Sequence, residues 1–212
     1  MPVYEAPAIE ADPKRLRQMF ETNVFGLFNM VTAFAPLLIA AVSDNAPAPV
    51  VVNVASVLSR LPMPFGSGYN ATKAAVVSYS DTLRLELEPL GIKVLTLFMA
   101  QVATSLMLPD NVKFGKDSIY IDLEPKVRER SIDHARVSIK PGPFAKEVVS
   151  KVLATSPSSY IWKGTNAFLV WLLNALGPRK VFDSGMRKAS GLDDAALVRK
   201  VHERAQATTK QQ

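Results

Sequence analysis

The sequence predicts an α/β fold in which parallel strands alternate with helices. Two short, almost entirely apolar runs, Val50–Ser56 and Ile92–Phe98, have the composition of buried strands in a parallel sheet. Longer segments before and between them carry apolar residues at three- and four-residue steps, which is typical of helices. A third short run, Ser159–Lys163, follows a further helical segment. This order requires parallel crossovers, and in such sheets ligands bind at the carboxyl ends of the strands.

The first helix is predicted over Asp12–Val42. Asp12 can cap its start, and Pro13 suits the first helical position. Gly26 lacks a side chain within this helix, so we expect a close packing contact there. The second helix is predicted over Tyr69–Glu88 and ends at a Pro-Leu-Gly sequence.

The second half of the chain adds a long excursion and further helices. Residues 99–141 have mixed polarity and scattered prolines, and we interpret them as an excursion that covers a substrate. Helices are predicted over Pro143–Thr155 and over residues 165–176. Residues 164–212 form a helical C-terminal extension, and residues 1–212 are expected to make one domain.

Composition excludes several kinds of site. The 212 residues contain no cysteine and two histidines, so disulfides, thiolate nucleophiles and cysteine-ligated metals are excluded. His134 and His202 lie in unrelated contexts, and no metal site is predicted. The net charge of +6 fits a nucleic acid, an anionic lipid, an anionic ligand or a plain basic surface. The basic tail lacks interleaved aromatic residues, so we predict no nucleic-acid binding.

Neither a secretory signal nor a transmembrane helix is predicted. The longest apolar stretch, Ala167–Leu176, is shorter than the roughly 20 residues that span a bilayer. The sequence is therefore compatible with two locations, the cytoplasm and the surface of an intracellular membrane. Residues 165–188 combine apolar and basic side chains, which fits peripheral membrane contact. The alternative is that this apolar face packs on the core or forms a substrate lid.

Tyr69 and Lys73 are the strongest candidates for chemistry. Four residues apart, they share one face of the second predicted helix, where a lysine cation would lower the tyrosine pKa from its usual ~10. Such a phenol can exchange a proton with a substrate oxygen, and Ser56 at a strand end could hold the same oxygen by a hydrogen bond. A tyrosine and a lysine at this spacing also occur by chance, so the surrounding motifs decide.

Four motifs together resemble the short-chain dehydrogenase/reductase family, and the resemblance covers nearly the whole chain. They read NVFG from Asn23, VVNVAS ending at Ser56, YNATK from Tyr69 to Lys73, and IKVLTLF. The resemblance implies a Rossmann-like, doubly wound parallel sheet, with Tyr69 as catalytic acid and base and Ser56 as the group that orients a carbonyl. It also implies that Lys73 binds the nicotinamide ribose and that Asn23 holds a water in a proton relay. The remaining cofactor-binding residues that it implies are Val102 and Thr104, at the carboxamide.

The C-terminal sequence YIWKGTNAFLVWLLNALGPRKVF is similar to the fungal, NADPH-dependent acyl-dihydroxyacetone-phosphate reductase branch. Two departures from the family stand out. The glycine-rich phosphate-binding turn is missing, so we expect only the C-terminal portion of the fold, without its first four strands. Met99 and Ala100 replace the usual Pro-Gly, and Ala100 adds a methyl group where the cofactor passes.

Two functions follow from the resemblance. One is an NADP(H)-dependent reductase of a small carbonyl compound, lipid-like in kind, that forms a homodimer or homotetramer at full length. The other is a cofactor-less remnant that acts as an interaction protein. Its dimer face would be formed by the helices Asp12–Val42 and Tyr69–Glu88.

Overall fold

A parallel three-stranded sheet forms the centre of the protein. The computed structural model describes residues 4–106 and 109–209. Strands β1 (Val50–Val54), β2 (Lys93–Met99) and β3 (Tyr160–Lys163) lie in the order β1-β2-β3. Both pairings are parallel, which confirms the predicted α/β fold and its three strands. Within the described residues β1 is paired on one side only, as expected, and Val54 at its end is 42% exposed.

The first predicted helix consists of three consecutive parts. Helix α1 (Pro13–Phe20) and helix α2 (Gly26–Ala40) are joined by a π-helical turn over Glu21–Phe25. Gly26 donates its N–H to the carbonyl of Glu21, five residues earlier, and a Cβ on Gly26 would lie 3.3 Å from that oxygen. The predicted close contact at Gly26 is therefore with the preceding turn of its own helix.

This helical stretch corrects one expectation about membrane spans. Pro13–Ala40 is 28 residues long and, by length and composition alone, is apolar enough to cross a bilayer. Ala167–Leu176 is the longest apolar stretch by sequence because polar residues interrupt the first helix. In the fold, Met19 and Val24 are buried, and Phe28 stacks on Tyr79 with ring centroids 4.0 Å apart. The first part of the stretch thus packs on the α/β domain, whereas α2 itself contains no buried residue.

Helices cover both faces of the sheet, as a doubly wound fold requires. On one face, α3 (Ser67–Leu87) and α6 (Ala167–Leu176) pack on Phe98 through Val76, Val77 and Val170. On the other face, α5 (Pro141–Val152) packs on Leu95, Leu97 and Ile161. A buried hydrogen bond of 2.9 Å from Asn53 Nδ2 to Ser80 Oγ joins β1 to α3.

Residues 99–141 are more ordered than an irregular excursion. They contain helix α4 (Glu124–Val137), whose Val127 lies in a second apolar core with Phe65, Val112 and Leu123. The C-terminal extension supplies α6, α7 (Asp183–Ala189) and α8 (Ala195–Thr209), and α8 packs on this second core. The excursion and the extension are therefore attached to the sheet and to each other.

Candidate active site

A cavity of about 640 Å³ lies at the carboxyl ends of the strands. It is bounded by residues that follow β1, β2 and β3, together with residues of α4, α6 and α7. Most lining side chains are apolar, and they include Val57, Leu58, Leu61, Met63, Met99, Leu106, Val137, Leu169, Leu173 and Met186. The position is the one that parallel sheets favour for ligands.

Ser56 lies at the inner wall of this cavity. It caps a short 3₁₀ turn over Val57–Ser59, because its Oγ accepts a hydrogen bond of 3.2 Å from the Leu58 N–H. The same hydroxyl donates to the Met99 carbonyl at 3.3 Å, which bridges the ends of β1 and β2. The Ser56 hydroxyl is thus held in place by its two neighbouring strand ends.

Tyr69 is in the first turn of α3, lines the same cavity and is 5% exposed. Burial raises its pKa to about 12, and a hydrogen-bonding interaction with Ser56 partly opposes the increase. Its ring packs against Met19, Leu58 and Leu106. The phenol therefore keeps its proton at neutral pH and is placed to donate it to an oxygen in the cavity.

Lys73 lies beside Tyr69 but is not among the residues that line the cavity. Its Nζ is 5.8 Å from the centroid of the Tyr69 ring and donates to the Val54 carbonyl at 2.9 Å. Burial lowers the pKa of Lys73. An ammonium has three N–H groups, and this contact uses one of them, so the others can bind a further acceptor such as a ribose hydroxyl.

Asn23 lies behind Tyr69, in the π-helical turn. Its Nδ2 donates to Thr72 Oγ1 at 3.1 Å, and Thr72 Oγ1 donates to the Tyr69 carbonyl at 2.8 Å. Thr72 is fully buried. The three residues therefore connect the π-helical turn to the first turn of α3, and π-helical turns are frequent at functional sites.

Val102 and Thr104 lie on the cavity wall just beyond β2. Val102 is buried and forms a parallel bridge with Ile139, whereas Thr104 is exposed and accepts a hydrogen bond of 3.3 Å from the Leu106 N–H. The predicted site residues thus form two groups. Ser56, Tyr69, Val102 and Thr104 line the cavity, and Lys73 and Asn23 support Tyr69 from behind.

Sequence reasoning missed a polar wall that α4 contributes. Arg130 lines the cavity, forms an ion pair with buried Glu5, and donates to the Pro64 carbonyl and to Ser190 Oγ at 3.2 and 3.1 Å. His134, one turn later, also lines it, and burial together with the Arg130 charge lowers its pKa. The four-residue spacing of Lys126, Arg130 and His134 could have indicated a shared helix face. Among the described residues, no cluster of three His, Asp or Glu side chains could hold a metal ion.

A family model for the short chain dehydrogenases matches residues 4–112, which include Asn23, Ser56, Tyr69, Lys73 and Val102. The chain belongs to the short-chain dehydrogenase family. Fungal members of the family are similar over most of the chain. The short-chain dehydrogenase RED1 of Pyricularia oryzae is 32% identical over 183 residues, and srdE of Neurospora crassa is 30% identical over 203 residues.

The chain spans 62% of the length of RED1 and 67% of the length of srdE, whereas these two matches cover 85% and 95% of the chain itself.

Solved structures of short-chain dehydrogenases have the same fold. A short chain dehydrogenase from Burkholderia cenocepacia in complex with NADP superposes with a TM-score of 0.61 at 24% identity, covering 87% of this chain and 65% of that one. One from Streptomyces avermitilis gives 0.64 at 21% identity, covering 89% and 67%.

Proposed function

We propose that this short-chain dehydrogenase is the catalytic part of an NADP(H)-dependent carbonyl reductase. The observation that carries the proposal is that Ser56 and Tyr69, from different elements, line one apolar cavity at the strand ends. A carbonyl oxygen between the two hydroxyls would accept hydrogen bonds from both. Ser56 would hold and polarise it, and Tyr69 would give it a proton as the negative charge develops.

The nicotinamide end of the cofactor fits the residues present. Lys73 has N–H groups available for ribose hydroxyls beside Tyr69, and Val102 and Thr104 lie at the cavity wall where the carboxamide would bind. When bound, the cofactor would supply the hydride that adds to the carbonyl carbon. The glycine-rich turn that would receive the pyrophosphate is not in the sequence, so we assign no residue to that part.

The cavity indicates the class of substrate. A volume of about 640 Å³ suits a molecule of drug or lipid-fragment size. The apolar lining favours an extended hydrocarbon or aromatic body, in keeping with a lipid-like carbonyl compound. Arg130 and His134 on the α4 wall can bind one polar group of that molecule.

A second candidate is a cofactor-less remnant that acts through protein contacts. It is favoured by the large apolar side chains that α2 exposes, namely Met30, Phe34 and Leu37. These side chains suit a homodimer that is formed by α2 and α3 of two copies. Titration of the 212 residues with NADPH tests the remnant. We expect weak or no binding, and saturable micromolar binding would exclude the remnant.

The reductase proposal is tested on a protein in which the chain is joined to the nucleotide-binding half of a relative such as RED1. Ketone-dependent NADPH oxidation is measured for the parent, for Tyr69→Phe and for Tyr160→Phe. Loss of the proton donor should lower kcat by about 10²–10⁴-fold. Tyr160 is outside the cavity and bonds Asp81, so its variant should match the parent. Equal activity of Tyr69→Phe and the parent would disprove the role of Tyr69.

A further inference from the structure

Helix α6 exposes an apolar face on the outside of the protein. The helix has no charged residue, and Ala167 and Val170 point into the core. Its outer side chains are largely accessible: Phe168 is 69% exposed, Trp171 41% and Leu176 81%. The Phe168 and Trp171 rings pack together with centroids 5.6 Å apart. Contiguous exposed apolar surface of this kind marks an interaction site.

Basic residues follow α6 in the sequence. Arg179 and Lys180 come shortly after it, Arg187 and Lys188 lie on α7, and all four are exposed without an ion pair within the described residues. Arg187 donates to the Leu192 carbonyl at 3.2 Å. Asp183 is the only acidic residue between positions 164 and 190. An apolar helix face with basic flanks is the pattern of a segment that lies in the interface of an anionic membrane.

The face also adjoins the cavity. Leu169 and Leu173 of α6, with Met186 and Lys188 of α7, line the cavity from the inside. The helix packs on β3, whereas β1 lies on the other side of β2. The α6 face is therefore a different surface from the one that pairing at β1 would cover.

We propose that residues 167–188 dock the protein on an anionic lipid bilayer, with Phe168, Trp171 and Leu176 in the interface and with Arg179 and Lys180 on lipid headgroups. A second copy of the chain is the main competing occupant. Pairing two such faces would bring two sets of like charges together, which is unfavourable. An anionic bilayer instead neutralises them.

The test is flotation of the full 212-residue chain, synthesised cell-free in the presence of vesicles, so that aggregated protein sediments and bound protein floats. Vesicles of phosphatidylcholine alone are compared with vesicles that contain 30% phosphatidylserine. We expect flotation with the anionic vesicles only. Arg179→Ser/Lys180→Ser should weaken partitioning about 25-fold, because each basic residue near an anionic surface contributes about five-fold. Phe168→Ser/Trp171→Ser should weaken it at least about ten-fold.

Matched variants elsewhere serve as controls. Lys113→Ser/Lys116→Ser removes two exposed charges from the excursion, and Phe34→Ser/Leu37→Ser removes two exposed apolar side chains from α2. Both should float like the parent. Absence of flotation with anionic vesicles, or an equal loss in the controls, would overturn the proposal. So would a Phe168→Ser/Trp171→Ser variant that loses self-association in sizing experiments yet still floats.

A spectroscopic readout is independent of partitioning. The chain contains two tryptophans, and Trp171 is the more exposed of them. Docking should shift its emission to the blue on anionic vesicles. In Trp171→Phe, which keeps an apolar ring, flotation should remain and the shift should disappear. A shift that persists in Trp171→Phe would come from Trp162 and contradict the placement of α6.

Discussion

At Tyr69, burial decides the protonation state of the phenol. In the folded protein the pKa of the Tyr69 phenol is about 12, whereas the pKa of an unfolded tyrosine is 10.0. Between these values the unfolded state binds fewer protons, so the free energy of unfolding falls as the pH rises. Lys73 donates to the Val54 carbonyl and does not bring the pKa of the phenol into the neutral range.

Comparison of the parent chain with Tyr69→Phe isolates this titration. From pH 10 to pH 12 the parent should lose about 2 kcal/mol more unfolding free energy than Tyr69→Phe, which is most of the effect of two pKa units. Urea denaturation at several pH values measures the difference, and all other titrating groups cancel in it. Parallel pH curves for the two proteins would show that the phenol is not buried as described.

Arg130 stabilises the fold through its ion pair with Glu5. The Glu5 side chain is 2% exposed, and burial raises its pKa while the Arg130 charge lowers it. Arg130→Met keeps most of the volume but leaves Glu5 unpaired, so we expect a loss of about 3–5 kcal/mol. Glu5→Gln/Arg130→Met should recover part of it.

Arg136 provides the matched control for Arg130. It is on the same helix and pairs with Asp133 at the surface, where its side chain is 74% exposed. Arg136→Met should therefore cost less than about 1 kcal/mol. Thermal or urea unfolding measures all three variants, and similar losses for Arg130→Met and Arg136→Met would refute a special role for the Glu5 pair.

Among the elements, the strands could be predicted best. Strand β1 begins at the predicted residue and ends two residues before the end of the predicted run, and the boundaries of β2 and β3 were predicted to within one residue, because short apolar runs have few alternatives in a chain of this kind. The π-helical turn could not be predicted, since its apolar spacing is compatible with a regular helix. It depends on Gly26 and on the bond from Asn23 to Thr72, which joins residues 49 positions apart.

Thr72 joins the π-helical turn to α3 through hydrogen bonds with Asn23 and Tyr69. Thr72→Val keeps the shape of the side chain but removes both of its hydrogen bonds, which leaves the Asn23 amide without its partner. We expect a loss of about 1–3 kcal/mol in unfolding free energy. Thr82→Val, on the exposed side of α3, removes a comparable helix bond to Ser78 and should cost no more than about 0.5 kcal/mol. Equal losses of unfolding free energy in Thr72→Val and Thr82→Val would show that the hydrogen bonds of Thr72 do not stabilise the fold.

At the scale of the whole molecule, the sequence predicted that site residues meet at the strand ends. It did not predict that α4 closes one side of the cavity. The family motifs place Ser56 and Tyr69, whereas the α4 wall requires Arg130 to meet Glu5 across 125 positions. No local pattern encodes such a contact. The excursion and the extension were interpreted separately, yet both contribute to one cavity. Their proposed roles as lid and membrane surface stay predictions.

The open edge of β1 predicts how the isolated chain behaves. An unpaired apolar strand edge is a site for pairing with another chain, so we expect the 212 residues alone to aggregate. Val54→Lys places a charge at the exposed end of that edge and should reduce light scattering. Val149→Lys adds the same charge at a site 53% exposed on α5 and should have little effect. A monodisperse parent chain that unfolds cooperatively would disprove this prediction.

The Glu5–Arg130 pair also has a consequence for the order in which the protein is made and folds. A second long-range bond, 109 positions apart, joins the Ile119 N–H to Glu10 Oε1 at 3.1 Å. During synthesis the early segment must therefore wait until α4 has left the ribosome. Contacts of such high sequence separation form slowly. Substrate-binding capacity should consequently appear late in refolding, after the sheet and α3 have acquired protection from hydrogen exchange.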